Sequence, residues 1–172
     1  MRLVRQIGWL AVVLMVCAAL PAAAQEVIAL AIEGWRQEAR EDGSVYYRCV
    51  SKICAAGSVV SYKPQPHRPA LTLADFENHH RGLAKQYTGT GRMREVRVAE
   101  PKQRSVDGVR VLQVNRKVDW TDNSTVFSIE ARLIGPDKSF SLVSDSPKRE
   151  WTANNFEGFL RRLVDIAGIK GR

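Results

Sequence analysis

The chain has no long basic run, no internal repeat, no low-complexity stretch and no Gly-x-Ser-x-Gly elbow. Each absence removes a class of function. Acids and bases interleave, as in Arg36-Gln37-Glu38-Ala39-Arg40-Glu41-Asp42, so the continuous cationic stripe that nucleic acid wants is missing. Nucleophilic catalysis needs a Ser or Cys, a His base and an orienting acid within mutual reach, whereas the serines here sit in strand-like and turn-like runs. Gly89-Thr90-Gly91 is too short to cradle a phosphate and precedes a strand pattern, so it reads as a helix stop. The longest apolar run, Ile7 to Leu20, spans 14 residues. A membrane-crossing helix needs about 20.

That short run is the most informative feature present. Arg2 and Arg5 give it a basic head, and Pro21-Ala22-Ala23-Ala24 gives a small-residue exit before Gln25. A basic head, a short apolar core and an Ala-x-Ala exit describe a cleaved signal peptide over residues 1–24. Two alternatives stand beside it: an uncleaved anchor, and lipid attachment at Cys17, against which the branched Val16 argues. Of 172 residues, 148 follow Ala24, enough for a single globular domain over 25–172. The formal charge of +8 becomes +6 once Arg2 and Arg5 are removed. The expected location is periplasmic or secreted, in a bacterium, with no membrane span left after cleavage.

Cysteine is scarce, and Cys49 and Cys54 alone remain after processing. In an oxidising compartment an even count reads first as a disulfide. A redox-active pair and metal ligation are the alternatives; the reactive dithiol motif has two intervening residues, where this one has four.

Along the chain, Val27 to Ile32 reads as a short strand, followed by a charged turn and a hairpin of Val45–Cys49 with Ser58–Tyr62. Lys63 to Pro69 holds three prolines and reads as a stiff connector. Thr72 then caps a helix, with Asp75 in the capping-box position and Leu73, Phe76, His80, Leu83, Ala84 and Tyr87 on one stripe. Four strand patterns follow: Arg94–Ala99, Val109–Val118, Val126–Ile134 and Ser139–Val143, joined by short turns that imply an antiparallel meander. Thr152 opens a closing helix whose apolar stripe is Phe156, Phe159, Leu160, Leu163, Val164 and Ala167. The fold class is α+β, an antiparallel β-sheet flanked by helices.

This order resembles the α/β/α sandwich of PsbP-like proteins, and the DcrB-type periplasmic proteins are similar. The likeness covers about residues 72–166 and lies in the layout; no motif carries it. It implies a binding or accessory protein more often than an enzyme.

Candidate chemistry centres on His79-His80, with Asp75 and Glu77 nearby. Imidazole and carboxylate bind transition metals. Adjacent helical residues diverge by about 100°, so a metal site here would need His67 or a distant carboxylate to join His79 and His80. Tyr46, Tyr47, Tyr62 and Trp151 lie beside basic residues and are candidate interface residues. The leading expectation is a non-catalytic binding or accessory protein, without cofactor, that acts on a protein partner or an anionic envelope component. The alternative is a metal-handling factor or small hydrolase built on His79, His80 and the neighbouring carboxylates.

Overall fold

A computed structural model of the chain describes residues 30–166. The expected signal peptide, the first residues of the Val27–Ile32 strand and Ala167 lie outside the described residues. Ten elements follow in order: β1 (Trp35–Ala39), β2 (Val45–Cys49), β3 (Val59–Gln65), α1 (Leu73–Tyr87), β4 (Met93–Val98), β5 (Lys102–Val106), β6 (Val109–Trp120), β7 (Thr125–Ile134), β8 (Ser139–Ser146) and α2 (Arg149–Ile166). The strands form one antiparallel sheet in the order β1-β2-β3-β8-β7-β6-β4, with β5 also paired to β6.

The two helices cover opposite faces, because alternate strand residues point to opposite sides. Val109, Val111, Ile129, Ala131, Leu133, Phe140 and Leu142 pack with Phe156, Phe159, Leu160, Leu163 and Val164 of α2. Leu112, Val114 and Ile134 pack instead with Phe76 of α1. The α2 stripe is the one expected from its 3- and 4-residue spacing, and each large side chain so buried contributes roughly 1.5–3 kcal/mol. The α1 capping box is also as expected: Thr72 Oγ1 accepts from Asp75 N at 3.1 Å, and Asp75 Oδ2 accepts from Thr72 N at 3.4 Å. Phe76, His80 and Ala84 of its stripe are buried, whereas Tyr87 is exposed at the helix end.

Several boundaries differ from expectation, each for a physical reason. Leu30 to Ile32 are irregular, and the first strand is Trp35–Ala39, the segment that reads as a charged turn. It is an edge strand with four exposed residues, so tertiary pairing with β2 makes it, not hydrophobicity. β3 continues through Lys63, Pro64 and Gln65. Its pairing with β2 ends at Tyr62, so Pro64 has a neighbour only on the β8 side, the edge setting that proline tolerates. β5 carries four exposed residues, KQRS, and gives no apolar pattern. It is specified by its turn: Asp107 and Gly108 adopt φ of 47° and 82°, the geometry of a type I′ hairpin. β4 and β5 lie end to end along the same edge of β6. Finally α2 begins at Arg149, which places Thr152 inside the helix rather than at its cap. Thr152 is buried, and its hydroxyl donates to Phe127 O at 3.2 Å, tying the helix to β7.

Cys49 and Cys54 are joined, with Cα atoms 5.7 Å apart, within the range disulfide geometry permits. The loop packs on Gly34, whose carbonyl accepts from Val50 N at 2.9 Å. Gly34 has φ of 79°, and a Cβ there would stand 2.4 Å from Ser51 Oγ, so only glycine fits.

Candidate binding cleft at the end of α1

The connector between β3 and α1 is held by side chains of the sheet. His67 Nδ1 lies 3.2 Å from Ser139 Oγ, and Arg110 donates to Pro69 O at 2.6 Å and to Leu71 O at 2.9 Å. With proline at 66 and 69 limiting the backbone, this places Arg68 at the mouth of a cleft between the connector, α1 and β7.

The cleft has a volume near 310 Å³ and is lined chiefly by Arg68, Leu71, Phe76, His80, Glu130 and Arg132. His80 is 1% exposed and packs edge-on against the Phe76 ring, centroids 4.3 Å apart. Neither ring nitrogen has a hydrogen-bond partner among the described residues. Burial pushes its pKa down to about 4, helped by the positive charges of Arg116, His79 and Arg132, so the imidazole is neutral at physiological pH. Glu130 Oε1 is 3.9 Å from His80 Nε2, which with a neutral ring is proximity without an ion pair. The other oxygen, Oε2, meets Arg116 Nη2 at 2.7 Å. Arg116 also donates to Ser128 Oγ at 3.3 Å, and burial pushes the Asp145 carboxyl beyond them up.

Around this cleft the sheet is open. Register puts Ser128, Glu130 and Arg132 of β7 on one face with Ser141, Val143 and Asp145 of β8, then Val59, Ser61 and Lys63 of β3, Tyr46 and Arg48 of β2, and Arg36 and Glu38 of β1. α2 lies on the opposite face, and α1 packs on β4 and β6. β8 shows the consequence: Phe140, Leu142, Ser144 and Ser146 are buried, and Ser141, Val143 and Asp145 between them are half-exposed. Arg40 stacks over the Tyr46 ring at 4.0 Å, and Lys63 pairs with Asp42 at 2.9 Å.

A second groove of about 470 Å³ runs beside the start of α2, lined by Arg97, Asn115, Lys117, Phe127, Arg149 and Thr152 among others. Its strand cations are already engaged: Arg97 with Glu95 at 2.6 Å, and Lys117 with the buried Asp119 at 2.9 Å. Arg149 lies over the Phe127 ring at 5.4 Å.

The expected histidine cluster is not brought together. His80 is in the core, His79 faces solvent one position away, and His67 is bound to Ser139 beyond the connector. No group of three His, Cys, Asp or Glu side chains gathers as a metal site among the described residues. The interface expectation needs correction for two residues. Tyr47 and Tyr62 are 1% and 2% exposed, because strand alternation turns them under α2, where Tyr47 meets the Phe159 ring at 4.9 Å. Tyr46, of opposite parity, is on the open face, and Trp151 is half-buried in the first turn of α2. Arg68, Arg132, Arg116 and Glu130 were not expected as site residues. The sequence does hold a trace of them: Ser128, Glu130 and Arg132 alternate with apolar residues, which marks a strand face that no helix fully covers.

No protein-family model matches the chain, and a search of curated proteins finds no match. Solved structures do match. The solution structure of cyanobacterial PsbP (CyanoP) from Synechocystis sp. PCC 6803 aligns with a TM-score of 0.52, covering 79% of this chain and 80% of that one at 16% identity. The fold is PsbP-like. At such low identity the likeness extends to architecture and carries no residue across. No helix among the described residues is long and apolar enough to cross a membrane.

Proposed function

We propose that this chain is an exported, non-catalytic binding or accessory protein that engages a protein partner or an anionic component of the cell envelope. The observation that carries the reading is the open sheet face, where Tyr46, Val59 and Val143 are set among Arg36, Arg48 and Lys63. Aromatic and apolar centres ringed by arginine are the composition interfaces favour. Export is supported by the signal-like residues 1–24 and by the Cys49–Cys54 bridge, a bond that persists in oxidising compartments. Tyr46 remains a candidate contact, and Trp151, on the other side of the sheet, belongs to a separate surface. A photo-crosslinking side chain at Ser141, on the open face, tests the reading in intact cells against the same label at Gln113, which points the other way. A discrete adduct from the envelope fraction at Ser141 alone is expected. Equal labelling at both positions, or none at Ser141, overturns it.

A further inference from the structure

We propose that the cleft beneath Arg68 and Arg132 is a binding site for a small molecule that carries an anionic oxygen group and an apolar body. This goes beyond the docking face, since it assigns a second, soluble ligand to a separate cavity, and it stands whether or not an envelope partner exists.

The argument begins with the charges. Two acids line the cleft, and both are engaged elsewhere: Asp75 Oδ2 accepts from Thr72 Oγ1 at 2.6 Å, and Glu130 Oε2 is held by Arg116. Two guanidiniums line it as well. Neither Arg68 nor Arg132 makes a hydrogen bond or ion pair among the described residues; Arg132 feels the attraction of Glu130 and, after it, the repulsion of Arg68. Holding two like charges together at the edge of a half-buried cleft is unfavourable unless an anion joins them. Guanidinium presents a planar fork of donors that matches carboxylate and phosphate oxygens.

The floor supplies a second, independent observation. His80 is almost wholly buried, lines the cleft, and has no partner for either ring nitrogen. An unpartnered buried polar group is unfavourable, so a ligand that meets it relieves that penalty. Beside it the Phe76 ring and Leu71 offer apolar surface. A volume near 310 Å³ is at the small end of the range ligand pockets occupy. Cations at the mouth, a neutral donor or acceptor on the floor and an aromatic wall together suit an aryl or short alkyl acid rather than a bare ion.

Carboxylate and phosphate share this chemistry, so the test carries both. Benzoate and phenyl phosphate are titrated into the purified exported chain at low ionic strength, with backbone amide NMR as the readout and benzyl alcohol as the neutral control. Saturable shifts confined to the connector, the first turns of α1 and the middle of β7 are expected with one or both acids; the tighter acid names the natural head group. Arg132→Gln and Arg68→Gln should each weaken binding about tenfold, whereas Arg97→Gln, in the other groove, leaves it unchanged. Arg68 is exposed, so its variant carries the test if Arg132→Gln folds poorly. The proposal is overturned by shifts that never saturate, by equal losses at Arg97, or by benzyl alcohol binding as well as benzoate. Crosslinking at Ser141 is read separately, so either idea can fail alone.

Discussion

Acid should loosen this domain through one side chain. His80 is buried and neutral in the folded state, with a pKa near 4 against about 6.5 in an unfolded chain. As pH falls below about 6.5 the unfolded chain takes up a proton that the folded chain refuses. Stability contributed by the neutral ring is therefore nearly complete above that value, is lost progressively as pH falls through about 4, and levels off about a unit below that. Linkage gives a loss of about 2 kcal/mol between pH 7.5 and pH 5, and about 3 kcal/mol by pH 4. For a domain of this size 2 kcal/mol corresponds to a fall in Tm of roughly 4–8 °C. Burial sets the sign, and the groups facing His80 adjust the size. Arg116 and Arg132 from the sheet and His79 from its own helix oppose protonation; Glu130, with Oε1 3.9 Å away, would meet the charged ring and limits the loss. Asp145 works in the opposite direction, because its raised pKa means that acid relieves a penalty. Comparing wild type with His80→Leu cancels that contribution. Urea titrations at pH 7.5, 6 and 5 should show wild type losing about 2 kcal/mol more than the variant over this range. Parallel pH slopes, within about 0.5 kcal/mol, would refute the reasoning.

Three further outcomes follow from packing and covalent geometry. Replacing Cys49 and Cys54 together by serine opens a loop of six residues, and urea unfolding should show a loss of about 2 kcal/mol, with no change in wild type on adding alkylating agent. Gly34→Ala forces a Cβ toward Ser51 at a left-handed φ, so its Tm should drop by the equivalent of at least about 1 kcal/mol, whereas Gly82→Ala, with open space around it, should hold or raise Tm. Phe156→Ala removes a fully buried ring between α2 and the sheet and should cost about 3–5 kcal/mol by chemical denaturation; a loss under 1 kcal/mol would mean that α2 is not core structure.

How far the sequence discloses this molecule depends on whether an element is specified by its own residues. α2 and β7 are legible because their burial is one-sided: the stripe from Phe156 to Val164 and the alternation Ile129, Ala131, Leu133 are written in apolar residues. The same holds for α1, whose capping box is local chemistry four residues long. β1 and β5 are illegible for the complementary reason. Both are edge strands whose side chains are mostly exposed, so the information that makes them strands lies in the partner they pair with. Tyr47 and Tyr62 show how parity decides burial: one residue's shift separates the core from the open face, and Tyr46 lies on the open face.

The cleft is harder still, and its obscurity is itself informative. Arg68 comes from a connector and Arg132 from β7, with α1, β4, β5 and β6 between them in sequence. Nothing local marks either residue, since an arginine after prolines and an arginine on a strand are each ordinary solvated side chains. They become unusual only when Arg110 ties the connector down and Arg116 takes the carboxylate that Arg132 would otherwise use. His80 misleads in the same way: read along the helix it pairs with His79 and suggests a metal, whereas in space its neighbours are Phe76, Glu130 and the guanidiniums of Arg116 and Arg132. A cationic setting around a neutral imidazole repels a metal ion and attracts an anion. The same side chain that invited a metal-binding reading thus argues, once its surroundings are known, for a ligand of the opposite charge.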